Sequence, residues 1–292
     1  MSSPLAAATD PAISEILRLE TVGPLRFRGR TQPPPAKRTY GGEVAGQAVA
    51  AAGRTVPADR HIHSMHMNFL RPGDTTEPIE FVVAELLDGG SFTARRVEAV
   101  QKGKVIFSGT ASYQRSEEGL EHQVPVLDAP DPDDVPRAEE MFADDPESLQ
   151  WVQWLEEGCQ LDIRFSELPA RAAAVQGRPQ PPRQRAWLRV RPPVGDDRRE
   201  QDATLAYVSD VLLLSSALGP HEMTLQGGRL QFATVDHTVW FHHPIDLNEW
   251  FLYQQESRWA GSARGLAHGE IFDRSGRLCA TTMQEGLLRL RE

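Results

Sequence analysis

The sequence carries the same order of secondary-structure patterns twice, about 170 residues apart. In each copy, a helix of small or apolar residues precedes four strand-like segments that Gly- or Pro-containing turns separate. The residues agree as well, since MNFLRPGD in the first copy matches VWFHHPID in the second, and GKVIFSGT matches GRLCATTM. A spacing this long far exceeds the period of a solenoid, so it indicates two copies of one domain.

The central segments of the two copies, residues 42–56 and 203–218, have small or apolar residues on nearly every side of a helix. Such a helix must be buried, and an antiparallel sheet wrapped over it is the simplest structure that buries it. We therefore predict an α+β chain of two helix-and-sheet units, residues 13–115 and 158–292. Between them, residues 116–157 are acidic and Pro-rich, which is typical of a linker or a loosely packed connection.

The composition argues against several classes of protein. The formal net charge is -10 over 292 residues, whereas a nucleic-acid-binding protein needs a basic surface, so nucleic acid is not an expected partner. The two cysteines, Cys159 and Cys279, cannot form a disulfide framework or a cysteine metal site. The first residues lack a signal-peptide pattern, and no apolar run approaches the roughly 20 residues that span a bilayer. We expect a cytoplasmic protein with no membrane span.

A carboxylate interrupts the second central segment, LAYVSDVLLLSSAL. At helical spacing, Asp210 shares a face with apolar residues, which are Ala203, Ala206, Leu213, Leu214 and Ala217. Burial raises the pKa of a carboxyl group, and a buried carboxylate without partners destabilises a fold by several kcal/mol. Asp210 is therefore either a structural residue bonded to the backbone or to a polar neighbour, or a functional acid or base.

Long runs in both halves resemble the acyl-CoA thioesterase II family. These runs are YGGEVAGQAVAAAGRTVP, HSMHMNFLRPGD, DGGSFTARRVEAVQKGKVIFSGTASYQ, DHTVWFHHPIDLNEWFLYQQES and SARGLAHGEIFDRSGRLCATTMQEG. The resemblance covers residues 13–115 and 158–290 and implies a double hotdog fold. It also implies hydrolysis of acyl-CoA to fatty acid and free coenzyme A, which makes acyl-CoA the expected partner. One position departs from the family, because Glu43 follows the two glycines where members usually carry Gln.

The catalytic residues of that family are an Asp on the second central helix, a Thr or Ser on the following strand and a Gln on the last strand. The matching residues here are Asp210, Thr234 and Gln284. The strand pattern agrees for Gln284, because its alternate neighbours are mostly small or apolar and the opposite face is charged. Thr234 shares a face with Phe232 and Trp240, but both faces of that strand are partly apolar, so an ordinary strand threonine is the alternative.

These residue types suit attack by water on an activated thioester, which requires neither a metal nor a cofactor. Asp210 would accept a proton from the water as general base, and Thr234 and Gln284 would hold that water in line with the carbonyl. The glycines Gly41 and Gly42 allow the backbone to approach a ligand closely, so their N–H groups are candidates to bind the substrate at its developing oxyanion.

The phosphates of coenzyme A call for basic partners. Arg71 and Arg95 are the residues expected to contact them, and a solvated strand face is the alternative for both. His61 and His63 share a strand face, but no carboxylate or cysteine nearby completes a set of metal ligands, so no metal site is predicted.

Two other functions stay open at this point. A hotdog hydratase or dehydratase would need a His paired with an acid, and neither central helix contains a His. A non-catalytic acyl-CoA-binding protein would not need the complete Asp, Thr and Gln set. The neighbours Asp236 and His237 point to opposite faces of a strand, so they are not expected to form a hydrolase dyad.

The repeat predicts one active site per chain. Aligning the proline-containing turns of the two copies places Ile62 opposite Thr234, and aligning the last hairpins places Ala111 opposite Gln284. The first copy therefore lacks the hydroxyl and the amide. A chain of this kind resembles a fused dimer whose sheet still has open edges, so we also expect a homo-oligomer.

Overall fold

The computed structural model describes residues 11–30, 38–124, 129–221, 223 and 229–291. The helices are α1 (Ile13–Ile16), α2 (Gly41–Gly53), α3 (Ala138–Met141), α4 (Pro146–Cys159), α5 (Ala170–Val175) and α6 (Arg198–Val208). The strands are β1 (Glu20–Gly23), β2 (Arg26–Arg28), β3 (His61–Phe69), β4 (Glu80–Asp88), β5 (Phe92–Gln101), β6 (Lys104–Gln114), β7 (Leu161–Phe165), β8 (Arg183–Val190), β9 (Leu230–Phe241), β10 (Phe251–Gly261), β11 (Arg264–Asp273) and β12 (Leu278–Leu290). Two 3-10 helices cover Pro132–Asp134 and Leu213–Leu218. Within the described ranges, no helix is both long and apolar enough to cross a membrane.

The strands of the described residues form one antiparallel sheet of 12 strands in the order β1-β2-β4-β5-β6-β3-β9-β12-β11-β10-β8-β7. The four strands predicted for each unit are confirmed, as β3 to β6 and β9 to β12. The two units join edge to edge through β3 and β9, where Met65 lies opposite Val239. The prediction of two helix-wrapped antiparallel sheets in an α+β chain is confirmed, and the two sheets are continuous with each other.

The central helices α2 and α6 pack against each other in opposite directions. Gly42 and Gly46 of α2 lie so close to α6 that a Cβ atom would be 2.2 Å from the backbone oxygen of Tyr207 and 2.8 Å from that of Ala203. Residues without a Cβ atom allow this approach of two helix backbones. The small residues of α2 therefore set the distance between the helices, and nearly all of α2 is buried.

The second central helix ends at Val208, well before the predicted end at Leu218. Residues 209–212 form a turn, and Leu213–Leu218 is a separate 3-10 helix. Leu212 adopts the left-handed conformation with a φ of 63°, which an α-helix cannot accommodate. Asp210 consequently follows the helix instead of lying on it, and the prediction of an apolar helix face around it was wrong. The first central helix ends at Gly53, slightly before the predicted boundary.

The acidic connection 116–157 packs onto the second unit and contains α3 and most of α4. Val135 joins a cluster of buried aromatic and aliphatic residues on the outer side of the sheet, namely Trp187, Trp250, Leu252 and Phe272. The carboxylates of Asp131 and Asp133 pair with Arg274, both at 2.7 Å. Several acidic residues of this connection therefore form ion pairs or cap helices, as Asp145 does at the start of α4. The interpretation as a loose linker was wrong for this part, and the exact domain boundaries stay a prediction.

We expect Gly42→Ala to lower the free energy of unfolding by about 1–3 kcal/mol, because the added methyl group overlaps the backbone of Tyr207 and the ring of Tyr40. Gly53→Ala is the matched control in the same helix, since the nearest atoms lie 3.9 Å and 4.0 Å from its added Cβ atom. That change should be neutral or stabilising by up to about 1 kcal/mol. Urea unfolding measures both, and equal losses would contradict this account of the helix contact.

Candidate active site

A cavity of about 610 Å³ lies between the two units. It is bounded by the start of α2, the end of β3, one face of α4, the turn after α6, and β9 and β12. Most of its wall is apolar, and its lining includes Tyr40, Gly41, Phe69, Trp151, Trp154, Leu155, Cys159, Leu214, Leu218 and Phe232. The polar lining residues include Arg38, Arg71, Arg171, Asp210, Thr234 and Gln284.

The three residues predicted as catalytic meet at one point of this wall. The Gln284 side chain donates from Nε2 to Oδ1 of Asp210 and, at 3.0 Å, to Oγ1 of Thr234. The hydroxyl of Thr234 also donates to Oδ1 of Asp210, at 3.4 Å. Residues far apart in the sequence therefore converge on one carboxylate, in the way that their resemblance to the catalytic set implied.

A β-bulge in β9 aims Thr234 at Asp210. On the partner strand β12, Glu285 pairs with Asp236 and Gly286 with Thr234, so Val235 is the extra residue. The bulge reverses which residues of β9 face inward. After the bulge, His237 and every second residue that follows it are buried. Trp240 is therefore not on the inward face of Thr234, and that prediction was wrong because period-two alternation does not continue through a bulge.

The start of α2 surrounds the other side of the Asp210 carboxyl group. The backbone N–H of Gly42 donates to it, and a Cβ atom on Gly41 would lie 2.7 Å from its Oδ2 atom. Gly41 lines the cavity, and its contact with a ligand stays a prediction. Gly42 instead uses its N–H on Asp210, so the prediction that this group binds the ligand was wrong.

The charge of Asp210 is balanced by dipoles. Burial raises the pKa of its carboxyl group, while the hydrogen bonds from Gln284, Gly42 and Thr234 oppose that shift. The helix dipole of α2 also favours negative charge at its amino end. The result is a carboxylate whose affinity for a proton exceeds that of an ordinary exposed aspartate, and this property suits a general base.

The two arginines predicted to bind coenzyme A have different environments. Arg71 is exposed, lines the cavity and donates to the backbone oxygen of Val105. Arg95 is 1% exposed, and its guanidinium donates to Thr55, Asp88, Leu87 and Ala94. The prediction of a ligand contact was wrong for Arg95, because β5 turns this side chain toward the interior and its neighbour Arg96 toward solvent.

Arg95 fills the position in the first unit that corresponds to the catalytic set. It lies opposite Ala111 in the sheet, just as Ala267 lies opposite Gln284. Thr55 follows the end of α2 by two residues, as Asp210 follows α6, and it accepts from Nε of Arg95 at 3.1 Å. The first unit therefore has the Arg95 guanidinium against Thr55 where the second has the Gln284 amide against Asp210, which agrees with one active site per chain.

The neighbouring Asp236 and His237 do not form a dyad. His237 is buried, and its Nε2 atom lies 2.8 Å from the hydroxyl of Ser209. Asp236 accepts from the backbone N–H of Glu285 at 3.2 Å. The prediction from strand alternation is therefore confirmed for this pair.

The wall that α4 contributes was missed because residues 116–157 were interpreted as a linker. Trp151, Trp154 and Leu155 line the cavity from this helix. Trp154 and Leu155 follow Trp151 by three and four residues, and Asp145 before a proline is a signal for a helix start. Together these two signals predict an amphipathic helix. Arg171 on α5 also lines the cavity and packs over the Trp151 ring, 5.1 Å from its centroid.

Comparisons with known proteins agree with this site. The model of the acyl-CoA thioesterase family matches residues 158–287, and that of the acyl-CoA thioesterase N-terminal domain matches residues 30–114. The chain is 37% identical over 281 residues to acyl-CoA thioesterase 2 of Haemophilus influenzae, which covers 95% of this chain and 96% of that protein.

Two solved structures show the same architecture. The crystal structure of an acyl-CoA thioesterase II from Mycobacterium marinum has 39% sequence identity and a TM-score of 0.78, and covers 96% of this chain and 99% of that one. A protein with a hot dog fold from Alicyclobacillus acidocaldarius has 22% identity and a TM-score of 0.76, with 96% and 98% covered. The second likeness concerns the fold alone, and the double hotdog prediction is confirmed.

We expect Arg95→Met to lower the free energy of unfolding by about 2–4 kcal/mol, because it removes the donor of several part-buried acceptors at a side chain that is itself 1% exposed. Arg71→Met is the matched control on the surface and should leave the urea midpoint nearly unchanged. A destabilised Arg71 variant beside an unaffected Arg95 variant would reverse the assignment of these two residues.

Proposed function

Since the chain belongs to the acyl-CoA thioesterase family and hydrolyses acyl-CoA thioesters, we propose that Asp210, Thr234 and Gln284 carry out this hydrolysis with water as the nucleophile. The observation that supports the proposal most directly is the convergence of Gln284 and Thr234 on a partly buried carboxylate at the cavity wall. The products are a fatty acid and free coenzyme A.

Asp210 acts as the general base. Its raised pKa increases its ability to take a proton from water, and the three hydrogen bonds to it keep the carboxylate in one orientation. The water proton passes to Asp210 as the water oxygen bonds to the carbonyl carbon, so the attack needs no covalent enzyme intermediate. The resulting oxyanion collapses with cleavage of the C–S bond, and the coenzyme A thiolate leaves and takes up the proton held by Asp210.

Gln284 and Thr234 hold the water. The carboxylate accepts from Nε2 of Gln284, so Oε1 of the same amide points elsewhere, and no donor among the described residues contacts that buried oxygen. A water that donates to Oε1 and to Asp210 has both protons occupied, which leaves a lone pair free for the thioester carbon. Thr234 fixes the amide by accepting from Nε2.

The negative charge on the thioester oxygen requires N–H donors. The backbone of Gly41 lines the cavity at the start of α2, where N–H groups and the helix dipole favour an anion. Because Gly42 is engaged by Asp210, we assign the oxyanion contact to Gly41.

The remaining cavity suits the two ends of the substrate. Arg38 and Arg71 are exposed lining residues, and we assign them to the phosphates of coenzyme A. We assign the acyl chain to the apolar wall that is built by α4, the 3-10 helix Leu213–Leu218 and β9. This wall includes Trp151, Leu214 and Phe232.

The site supports the two alternative functions less well. A hydratase or dehydratase needs an imidazole at the substrate, but His237 is bonded to Ser209 and is not part of the cavity lining. A binding protein without activity would not need a buried base whose amide and hydroxyl partners converge on it. Release of free thiol from acyl-CoA distinguishes hydrolysis from both alternatives.

We expect Asp210→Asn to reduce turnover by about 10²- to 10⁴-fold, because Asn is close in shape but cannot accept the proton. Release of free coenzyme A from a series of acyl-CoA chain lengths is the measurement. Asp202→Asn is the matched control, since Asp202 is a buried carboxylate of the same region but pairs with Arg198. Thr234→Ala and Gln284→Ala should also lower turnover, with non-additive effects because both hold one water. Normal turnover of the Asp210→Asn variant would indicate that Asp210 has a structural role instead of acting as the base.

The pH profile should report the Asp210 carboxyl group. Because its pKa is raised, kcat/KM should fall on acidification at a pH above the ordinary range for aspartate, as the base becomes protonated. Gln284→Ala removes a hydrogen bond that lowers this pKa, so the acid limb should move to higher pH. Thr234→Ser keeps a hydroxyl and should leave the limb in place, whereas a limb that moves to lower pH in Gln284→Ala would contradict the assignment.

A further inference from the structure

The turn that carries Asp210, residues 209–212, is held by buried side chains of the sheet to which the mechanism assigns no role. The turn needs support, since Leu212 is in the left-handed region with a φ of 63°, which is costly for a side chain of this kind. Within the turn, the Leu212 oxygen accepts from the backbone N–H of Ser215 at 3.0 Å, and the turn oxygens also need side-chain donors. Side chains from the neighbouring strands β8 and β10 accommodate both features.

Three backbone oxygens of the turn each receive a side-chain donor. Tyr253 donates from its hydroxyl to the oxygen of Ser209 at 2.5 Å, and Gln255 donates from Nε2 to that of Val211 at 2.8 Å. The Gln184 amide donates to the oxygen of Leu212 at 2.9 Å. The carbonyls on both sides of Asp210 are thus fixed from β10.

These side chains are joined to one another and to the strand of Gln284. Gln184 donates to Oε1 of Gln255 at 2.7 Å, and the hydroxyls of Tyr253 and Thr282 lie 3.0 Å apart. Thr282 shares a face of β12 with Gln284. The network therefore couples the turn of Asp210 to the strand that provides its amide partner.

The network is buried and lies outside the cavity lining. Tyr253 is 1% exposed and Gln255 5%, and neither contributes to the wall of the cavity. Gly269 makes room for the Tyr253 ring, because a Cβ atom there would lie 2.5 Å from it. Any effect of these side chains on catalysis must therefore pass through the turn.

The first unit shows that the fold itself does not require these polar groups. Tyr253 lies opposite Ile271, and the equivalent pair in the first unit is Phe81 opposite Ala99. Two residues further along the same strands, Gln255 corresponds to Val83. Phe81 and Val83 thus occupy these positions in the first unit, where Thr55 stands in place of Asp210. Both side chains are buried, as Tyr253 and Gln255 are in the second unit.

We propose that Tyr253 and Gln255 are positioning residues that hold the backbone on either side of Asp210, so that its carboxylate meets Gln284 and Thr234. This inference rests on the proposed role of Asp210 as the base. The hydroxyl and amide fix the turn, and the turn fixes the direction from which the carboxylate takes the proton of water.

Tyr253→Phe is the direct test, because it removes one oxygen atom and produces the residue found in the first unit. We expect kcat to fall by about 10- to 100-fold with KM within about 2-fold, since a small misplacement of a catalytic group has an effect of this size. The acid limb of kcat/KM should move to higher pH, because a looser carboxylate loses hydrogen bonds that lower its pKa. Gln255→Met should act in the same direction.

Tyr113→Phe is the matched control. Tyr113 is also buried, at 3% exposed, and its hydroxyl has no hydrogen-bond partner among the described residues. This change should leave kcat, KM and the pH profile as in the unchanged chain. Far-ultraviolet circular dichroism and the urea midpoint establish that each variant is folded.

Combination with Asp210→Asn separates the two proposals. If Tyr253 acts through Asp210, adding Tyr253→Phe to Asp210→Asn should cause no further loss. A further loss equal to that in the unchanged chain, or a Tyr253→Phe variant with normal kcat and pH profile, would overturn the positioning role. A Tyr253→Phe chain that does not fold would also overturn it for Tyr253, because the hydroxyl would then serve the fold. Normal turnover of Asp210→Asn alone would instead refute the proposed base.

Discussion

The partial burial of the Asp210 carboxylate, at the wall of the cavity, is the constraint on which the rest of the site depends. A carboxylate in apolar surroundings is stable only where donors surround it, and three elements supply them: Gly42 at the start of α2, Thr234 on β9 and Gln284 on β12. Each donor has a structural requirement of its own. The N–H of Gly42 reaches the carboxylate because α2 lies against the backbone of α6, and the hydroxyl of Thr234 reaches it because β9 has a bulge at Val235.

The two units use one backbone plan for different purposes. The bulge in β9 has a counterpart in β3 at His63, and the strand registers agree on both sides of it. The side chains at equivalent positions differ, since the second unit places polar groups around the turn of Asp210 and the first places Arg95 against Thr55. The two units therefore share the framework of their principal strands, and side chains at equivalent positions give only the second unit, among the described residues, a carboxylate at the cavity wall.

The connection between the units completes the cavity. Its first part is fixed to the outer side of the second unit by ion pairs of Arg274 and by the buried Val135. Its last helix, α4, brings Trp151 and Trp154 to the cavity wall, with Arg171 of α5 packed over Trp151. The apolar wall of the cavity is thus built in part from a segment that lies outside both repeats, so the repeat alone does not define the shape of the cavity.

The sequence by itself determined the two units, their eight principal strands and the buried first central helix, because burial imposes periods of two and of about 3.6 residues on neighbouring positions. The resemblance supplied the three site residues. Only the tertiary structure decided that α6 ends at Val208 and that Gly42 donates to Asp210, because both depend on partners distant in the chain. The same holds for Arg95. Adjacent arginines on a strand must point to opposite faces, but which one is buried depends on the register of β5 against its neighbours, and a local pattern does not contain that register.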